Sequence, residues 1–359
     1  MKVLIMGAGK SGTTAVTYGI KTKLPSHEIV FEPVSLEKID YAQENAIVKM
    51  VKVNGWKQQE AFFTRFDKKI LIVRHPYDRL ISYLLYIPYN GFGFSSDVNA
   101  SSYVDMLRKK TIEPESVHTL DLIKNLDKIT NFDTLKELQK ENNQVVNLYQ
   151  EKGTKFYLLK YENFIDCDIK YLENYLGIRF PEQVEVDSKH KRVVRSKQYG
   201  DWRNWFTKKD VEQISKYFTN FNSEFGYEEN LPLKMFPKIN AEYSYLYTID
   251  LINECRKRRF LPEYEIGKIK IGEEGILIDK AIDNLKRERF QDAEDAIHKA
   301  IEINNSLPSL YLIQGNIFAK QNKLDEAAKA ISYALELDPN FENASHRLKN
   351  ILAKLKTLE

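Results

Sequence analysis

Short apolar runs set the rhythm of the first half of the chain: Val3-Leu4-Ile5-Met6, Ile29-Val30-Phe31, Ala46-Ile47-Val48, Ile70-Leu71-Ile72-Val73 and Phe156-Tyr157-Leu158-Leu159. Each is continuous rather than alternating, as a strand buried on both faces reads. Stretches with helical character separate several of them, over 13–23, 77–86 and 134–151. Strands alternating with helices predict an α/β domain, a parallel sheet flanked by helices, over 1–230. The opening run breaks at once into glycines, which suits a first strand better than a signal peptide. No run of eighteen apolar residues occurs, so no membrane span is expected. Residues 231–268, with Leu231-Pro232, Phe236-Pro237 and Leu261-Pro262, read as a connector containing a helix over 241–258.

The pattern changes over 269–359. Ala281, Ala293 and Ala300 recur as Gly315, Ala327 and Ala334, each 34 positions later. This resembles the tetratricopeptide repeat, a helix-turn-helix unit of that period, and predicts an all-α helical-repeat C-terminal domain. Small residues stand where paired helices cross, and Pro339 closes the second copy. A polar helix over 342–356 serves as a cap. Two repeats are fewer than a free-standing array wants, so the resemblance implies packing against other structure or a protein partner for the repeats.

Composition narrows the class. The chain has 359 residues, 43% hydrophobic and 29% charged, with a net charge of +3. That charge is too small to argue for nucleic acid. Of the basic runs, Lys189-His190-Lys191-Arg192 adjoins the more specific segment beginning at Arg195, while Arg256-Lys257-Arg258-Arg259 reads as a solvated loop or helix end. Two cysteines, Cys167 and Cys255, make neither a disulfide framework nor a metal site, and a cytoplasmic location is expected.

Gly7-Ala8-Gly9-Lys10-Ser11-Gly12-Thr13-Thr14 lies between the first strand and the first helix. Its outer glycines have P-loop spacing, which lets backbone N–H groups and a helix N-terminus converge on an anion. A nucleotide triphosphatase would need lysine where Thr13 stands. Here the lysine is Lys10, and Ser11, Thr13 and Thr14 add hydroxyl donors. Lys-Ser-Gly-Thr-Thr after a first strand resembles the 5′-phosphosulfate loop of sulfotransferases that use 3′-phosphoadenosine-5′-phosphosulfate (PAPS).

A second signature follows. Arg74 ends the run Ile70–Val73, Pro76 opens a helix, and Ser82 comes eight positions after the arginine, two helical turns on. Arg-x-Pro…Ser resembles the 3′-phosphate site of the same family. Arg195-Ser196-Lys197…Gly200-Asp201-Trp202 resembles its Arg-Lys-Gly…Gly-Asp-Trp segment, with Ser196-Lys197 in place of Lys-Gly. Tyr161-Glu162-Asn163 resembles its Tyr-Glu-Asp, which would put Tyr161 at the adenine. The matches run from residue 3 to about 227.

The resemblance implies a sulfotransferase moving a sulfuryl group from PAPS to an acceptor hydroxyl or amine, with PAP (3′-phosphoadenosine-5′-phosphate) as product. A carbohydrate or small metabolite is slightly favoured as acceptor. Lys10 would stabilise the departing oxygen. The family's small-molecule enzymes take their base from a Lys-Thr-His strand, whereas this chain has Lys49-Met50-Val51 there. Phe31-Glu32-Pro33 resembles the carbohydrate and bacterial members, so Glu32 is the expected base, with His27 and His75 in reserve. Lys49 is left without a role. Tyr83 and Tyr86 read as core, and Trp202 and Trp205 as acceptor-pocket candidates. The stretch 87–102 reads as a mobile lid. No metal is expected. The competing readings are a P-loop kinase or other nucleotide phosphotransferase, and a tetratricopeptide adaptor with an inactive P-loop domain.

Overall fold

The computed structural model describes residues 1–33, 45–51, 60–181, 184–193, 196–228 and 232–356. The chain divides into two compact units, each discontinuous in sequence. The first takes residues 1–86, 109–124 and 132–243, the second 87–108, 125–131 and 244–359.

The first unit is built on a five-stranded parallel sheet of β1 (Lys2–Gly7), β2 (Glu28–Phe31), β3 (Ala46–Met50), β4 (Lys68–Val73) and β5 (Tyr157–Lys160), in the order β2-β3-β1-β4-β5. The pairings run in register from Val3↔Ile47 and Ile5↔Ile70 outward to Val73↔Lys160. Because successive strand side chains point to opposite faces, β1 feeds two cores. Leu4 and Met6 join Val48, Leu71, Val73, Val145 and a group of phenylalanines on one face. Val3 and Ile5 join Ile47, Ile70, Ile72 and the first-helix residues Val16 and Ile20 on the other. Double-sided burial is why β1, β3 and β4 read as unbroken apolar runs, whereas the edge strands β2 and β5 are mostly half-buried.

Parallel register puts every carboxyl end on one edge, where open α/β sheets hold ligands. The loops leaving that edge carry Lys10, Glu32, Arg74 and Tyr161 directly after β1, β2, β4 and β5.

In the second unit, helices Glu274–Lys286 and Phe290–Ile303 are followed by Pro308–Lys320 and Leu324–Leu337, then by Glu342–Lys356. Starts at 274, 308 and 342, and at 290 and 324, each differ by 34 residues. Ala281, Ala293, Ala300, Ala327 and Ala334 are fully buried between these helices. The helix expected over 241–258 spans Tyr245–Lys257. No helix among the described residues is long and apolar enough to cross a membrane.

The lid expected over 87–102 is not a loop. It is a 3-10 turn, Ile87–Asn90, leading to helix Asp97–Ile112, and buried charge holds it. Asp279 accepts from the N–H groups of Gly93 (2.7 Å) and Ser95 (3.2 Å) and from the Ser95 hydroxyl (2.7 Å), and pairs with Arg259 (3.0 Å). Asp97 pairs with Arg256 at 2.6 Å, both side chains 1% exposed. The second basic run is therefore half interior, contrary to the expectation of a solvated helix end. Asp279→Asn should cost about 2 kcal/mol, because it leaves a buried guanidinium uncompensated. Urea unfolding of the full chain measures this, and an unchanged midpoint would show the network to be dispensable.

Candidate functional site

A cavity of about 660 Å³ opens at the carboxyl edge of the sheet, within the size range of small-molecule sites. Nine of the expected site residues line it: Lys10, Gly12, Thr13, Thr14, Arg74, Ser82, Tyr161, Ser196 and Lys197. They come from four stretches of chain far apart in sequence. Arg195 lies outside the described residues. Ser11 is buried beneath the loop, its hydroxyl without a partner.

The glycine loop takes its shape from two left-handed residues, Lys10 (φ 67°) and Gly12 (φ 96°). Gly12 is the N-cap of helix Thr13–Lys23, and no side chain caps that helix. Its first-turn N–H groups have no carbonyl four residues back, so the helix start suits an anion. The Gly12 backbone lies against Tyr161: a Cβ there would sit 2.2 Å from the ring. Lys10 Nζ stands 3.6 Å from the centroid of the Tyr86 ring. Tyr86 thus belongs to the cavity wall, correcting its assignment to the core. It sits one turn beyond Ser82 on the same helix face, a relation the sequence contained.

Arg74 is the second cation of the cavity and is 8% exposed. Its Nη1 donates to the Lys10 carbonyl at 3.2 Å and its Nη2 to the Gln198 carbonyl at 3.3 Å. The guanidinium lies 4.6 Å from the Tyr161 ring centroid, and Nε has no partner. Among the described residues no carboxylate pairs with it. Its charge is compensated through space by the buried Glu162 carboxylate rather than by a direct ion pair.

Sequence reasoning missed the residues that hold these two. Arg79, on the helix Pro76–Tyr86, donates to the Gly9 carbonyl (2.7 Å) and to Asn142 Oδ1 (2.6 Å) and pairs with Glu141. Asp78 accepts from the N–H groups of Gly200 (2.6 Å) and Trp202 (3.2 Å), anchoring the segment that carries Gln198. Trp202 and Trp205 are fully buried and do not line the cavity, so they are core rather than acceptor pocket.

Glu32 stands just past β2 with φ 46°. Its Oε1 accepts from Lys49 Nζ at 2.8 Å and its Oε2 from the Val51 N–H at 3.0 Å. Glu32 itself is not part of the cavity lining, but Lys49 and Val51 are. Phe31 carries the His190 ring at 4.3 Å, and His190 Nδ1 is 2.8 Å from the Tyr18 hydroxyl. Burial, with Arg192 and Lys49 nearby, holds the His190 pKa below the usual imidazole value.

The reserve histidines do not face the site. His27 precedes β2, at the amino edge of the sheet, and burial lowers its pKa. His75 is buried against Trp202, ring centroids 5.3 Å apart, and burial lowers its pKa too. Much of the rest of the cavity wall is apolar, with Phe164, Ile165, Ile169, Phe180, Val184 and Val186 beside Cys167 and Gln198. Among the described lining residues there is no aspartate or glutamate, and no cluster of metal-ligating side chains occurs among the described residues. Comparison of the chain with protein-family models and with curated proteins returned no match.

Proposed function

We propose that this chain is a PAPS-dependent sulfotransferase of P-loop-like fold, with tetratricopeptide-like repeats as its C-terminal part. The observation that carries the reading is one cavity lined by two cation-bearing groups from distant stretches of the chain. One is the glycine loop with Lys10 and the uncapped helix start; the other is Arg74 with Ser82. A nucleoside phosphorylated at both ends of its ribose needs two such sites. The partnerless Arg74 Nε is a buried polar group on a cavity residue that an anion would satisfy.

On this reading Lys10, Gly12, Thr13 and Thr14 hold the 5′-phosphosulfate, with Ser11 supporting the loop from beneath. Arg74 and Ser82, with Ser196, Lys197 and Arg195, hold the 3′-phosphate. Tyr161 and the apolar wall take the adenine. When bound, the phosphosulfate supplies an activated sulfuryl group. Lys10 stabilises negative charge on the phosphate oxygen from which that group departs. Glu32 receives the proton of the acceptor hydroxyl or amine. Two of its roughly four lone-pair directions are engaged by Lys49 and Val51, which orient the carboxylate and leave acceptor capacity. The step as proposed uses no metal.

Titration with PAP in metal-free buffer tests the proposal, with ATP and Mg²⁺ as comparison. PAP at a hundred times its dissociation constant should stabilise the protein by about 2.7 kcal/mol, a melting shift of several degrees. A response to ATP–Mg²⁺ alone would replace the reading with a nucleotide phosphotransferase. No response to either would leave an adaptor with an inactive nucleotide fold.

A further inference from the structure

The sheet ladder between β4 and β5 ends at Val73↔Lys160. The next residue of each strand is a cavity residue, Arg74 on one side and Tyr161 on the other. Beyond the ladder a side chain takes over the pairing. Glu162 Oε1 accepts the His75 N–H at 2.8 Å, so one hydrogen bond joins the residue after Arg74 to the residue after Tyr161. Glu162 Oε2 accepts the Tyr227 hydroxyl at 3.0 Å. The His75 ring is wedged between Trp202 and Tyr227, at 5.3 Å from each.

We infer that Glu162 is a positioning residue for the 3′-phosphate end of the cavity, its carboxylate replacing the lost strand pairing so that the Arg74 guanidinium stays over the Tyr161 ring. The inference rests on the nucleotide reading above and deepens it. Without the carboxylate, the His75 N–H loses its acceptor and the turn carrying Arg74 keeps only ring packing and the long bonds from the guanidinium to Lys10 and Gln198, 3.2 and 3.3 Å, on its cavity side. The loop around Lys10 has its own tether, Arg79 to the Gly9 carbonyl. Loss of Glu162 should therefore loosen one end of the site and spare the other. Burial raises the Glu162 pKa and, with Glu162 adjacent, raises that of Tyr227, so the Tyr227 hydroxyl keeps the proton it donates.

The test compares PAP with adenosine 5′-monophosphate, which lacks the 3′-phosphate, on the full chain. In Glu162→Ala, PAP affinity should fall about tenfold while monophosphate affinity stays within twofold. Glu162→Gln should hold PAP affinity within threefold of the native chain, because its carbonyl oxygen still accepts the His75 N–H. Equal losses for both nucleotides in Glu162→Ala, or an unchanged preference, would overturn the inference, as would a glutamine variant no better than alanine. Should the alanine variant fail to fold, Tyr227→Phe removes one bond to the carboxylate and keeps the ring; a threefold loss of PAP preference is expected, and none would overturn the inference. If the native chain binds PAP no better than the monophosphate, the nucleotide reading itself falls and this inference with it.

Discussion

Arg74→Ala should weaken PAP binding about a thousandfold, roughly 4 kcal/mol at 1.4 kcal/mol per decade, while changing the stability of the ligand-free protein by less than about 1 kcal/mol. The two effects diverge because of what surrounds the guanidinium. Arg74 is 8% exposed, and its protein partners are two carbonyls and the Tyr161 ring. A structural ion pair would lose stability on truncation, since a buried carboxylate would be stranded. Here no carboxylate is in direct contact with the guanidinium among the described residues, so the free protein loses only the through-space interaction with Glu162. A bound phosphate loses its buried, charge-assisted partner, a loss of 2–5 kcal/mol or more in comparable sites. Arg74→Lys should recover part of the affinity but not the forked geometry, leaving a deficit of about thirtyfold. Calorimetric titration with PAP, alongside thermal unfolding of the free variants, measures both quantities. A variant that binds normally would remove Arg74 from the site, and one that binds poorly only because it unfolds would make the arginine structural.

The parts of this molecule legible in the sequence are those written in apolar residues or in motif spacing. The central strands β1, β3 and β4 appeared as unbroken apolar runs because both sheet faces are covered there, Leu4 and Met6 on one side and Val3 and Ile5 on the other. The 34-residue recurrence of small residues appeared because close helix crossings tolerate little else. Lys10, Arg74, Ser82 and Tyr161 could be named because the motifs that carry the family resemblance stand in order along the predicted strands and helices. What could not be read is written in polar residues whose partners are distant. Asp97 meets Arg256, and Asp279 meets Gly93 and Ser95, across more than 150 positions. Ser, Gly and Asp over 87–102 therefore looked like a mobile loop, where burial had turned them into anchors. Arg79 and Glu162 carried the same difficulty. An arginine on a helix and a glutamate after a tyrosine look solvated until the carbonyl of Gly9 and the N–H of His75 arrive beside them.

Gly12→Ala should have a large effect: a stability loss of about 3 kcal/mol and PAP binding too weak to detect. Two costs add. The residue occupies φ 96°, a left-handed conformation in which a side chain costs about 1–2 kcal/mol. The new Cβ would also stand 2.2 Å from Tyr161 Cδ2 and 2.6 Å from Cε2, separations no pair of carbons keeps. The ring is not free to retreat, since Tyr161 is buried with the Arg74 guanidinium 4.6 Å over its face. Either the tyrosine and arginine move together or the loop leaves the helix start, and each disrupts both proposed anion sites at once. Gly9→Ala serves as the control, because a Cβ there meets nothing within 4 Å. It should keep stability within about 0.5 kcal/mol of the native chain, the range of an unobstructed surface change. Denaturant unfolding and PAP titration of the pair separate the role of Gly12 from a general sensitivity of the loop. A Gly12→Ala protein with native stability and PAP affinity would mean that the contact between Tyr161 and the loop does not shape the site, and the two-anion reading would lose the residue that joins its halves.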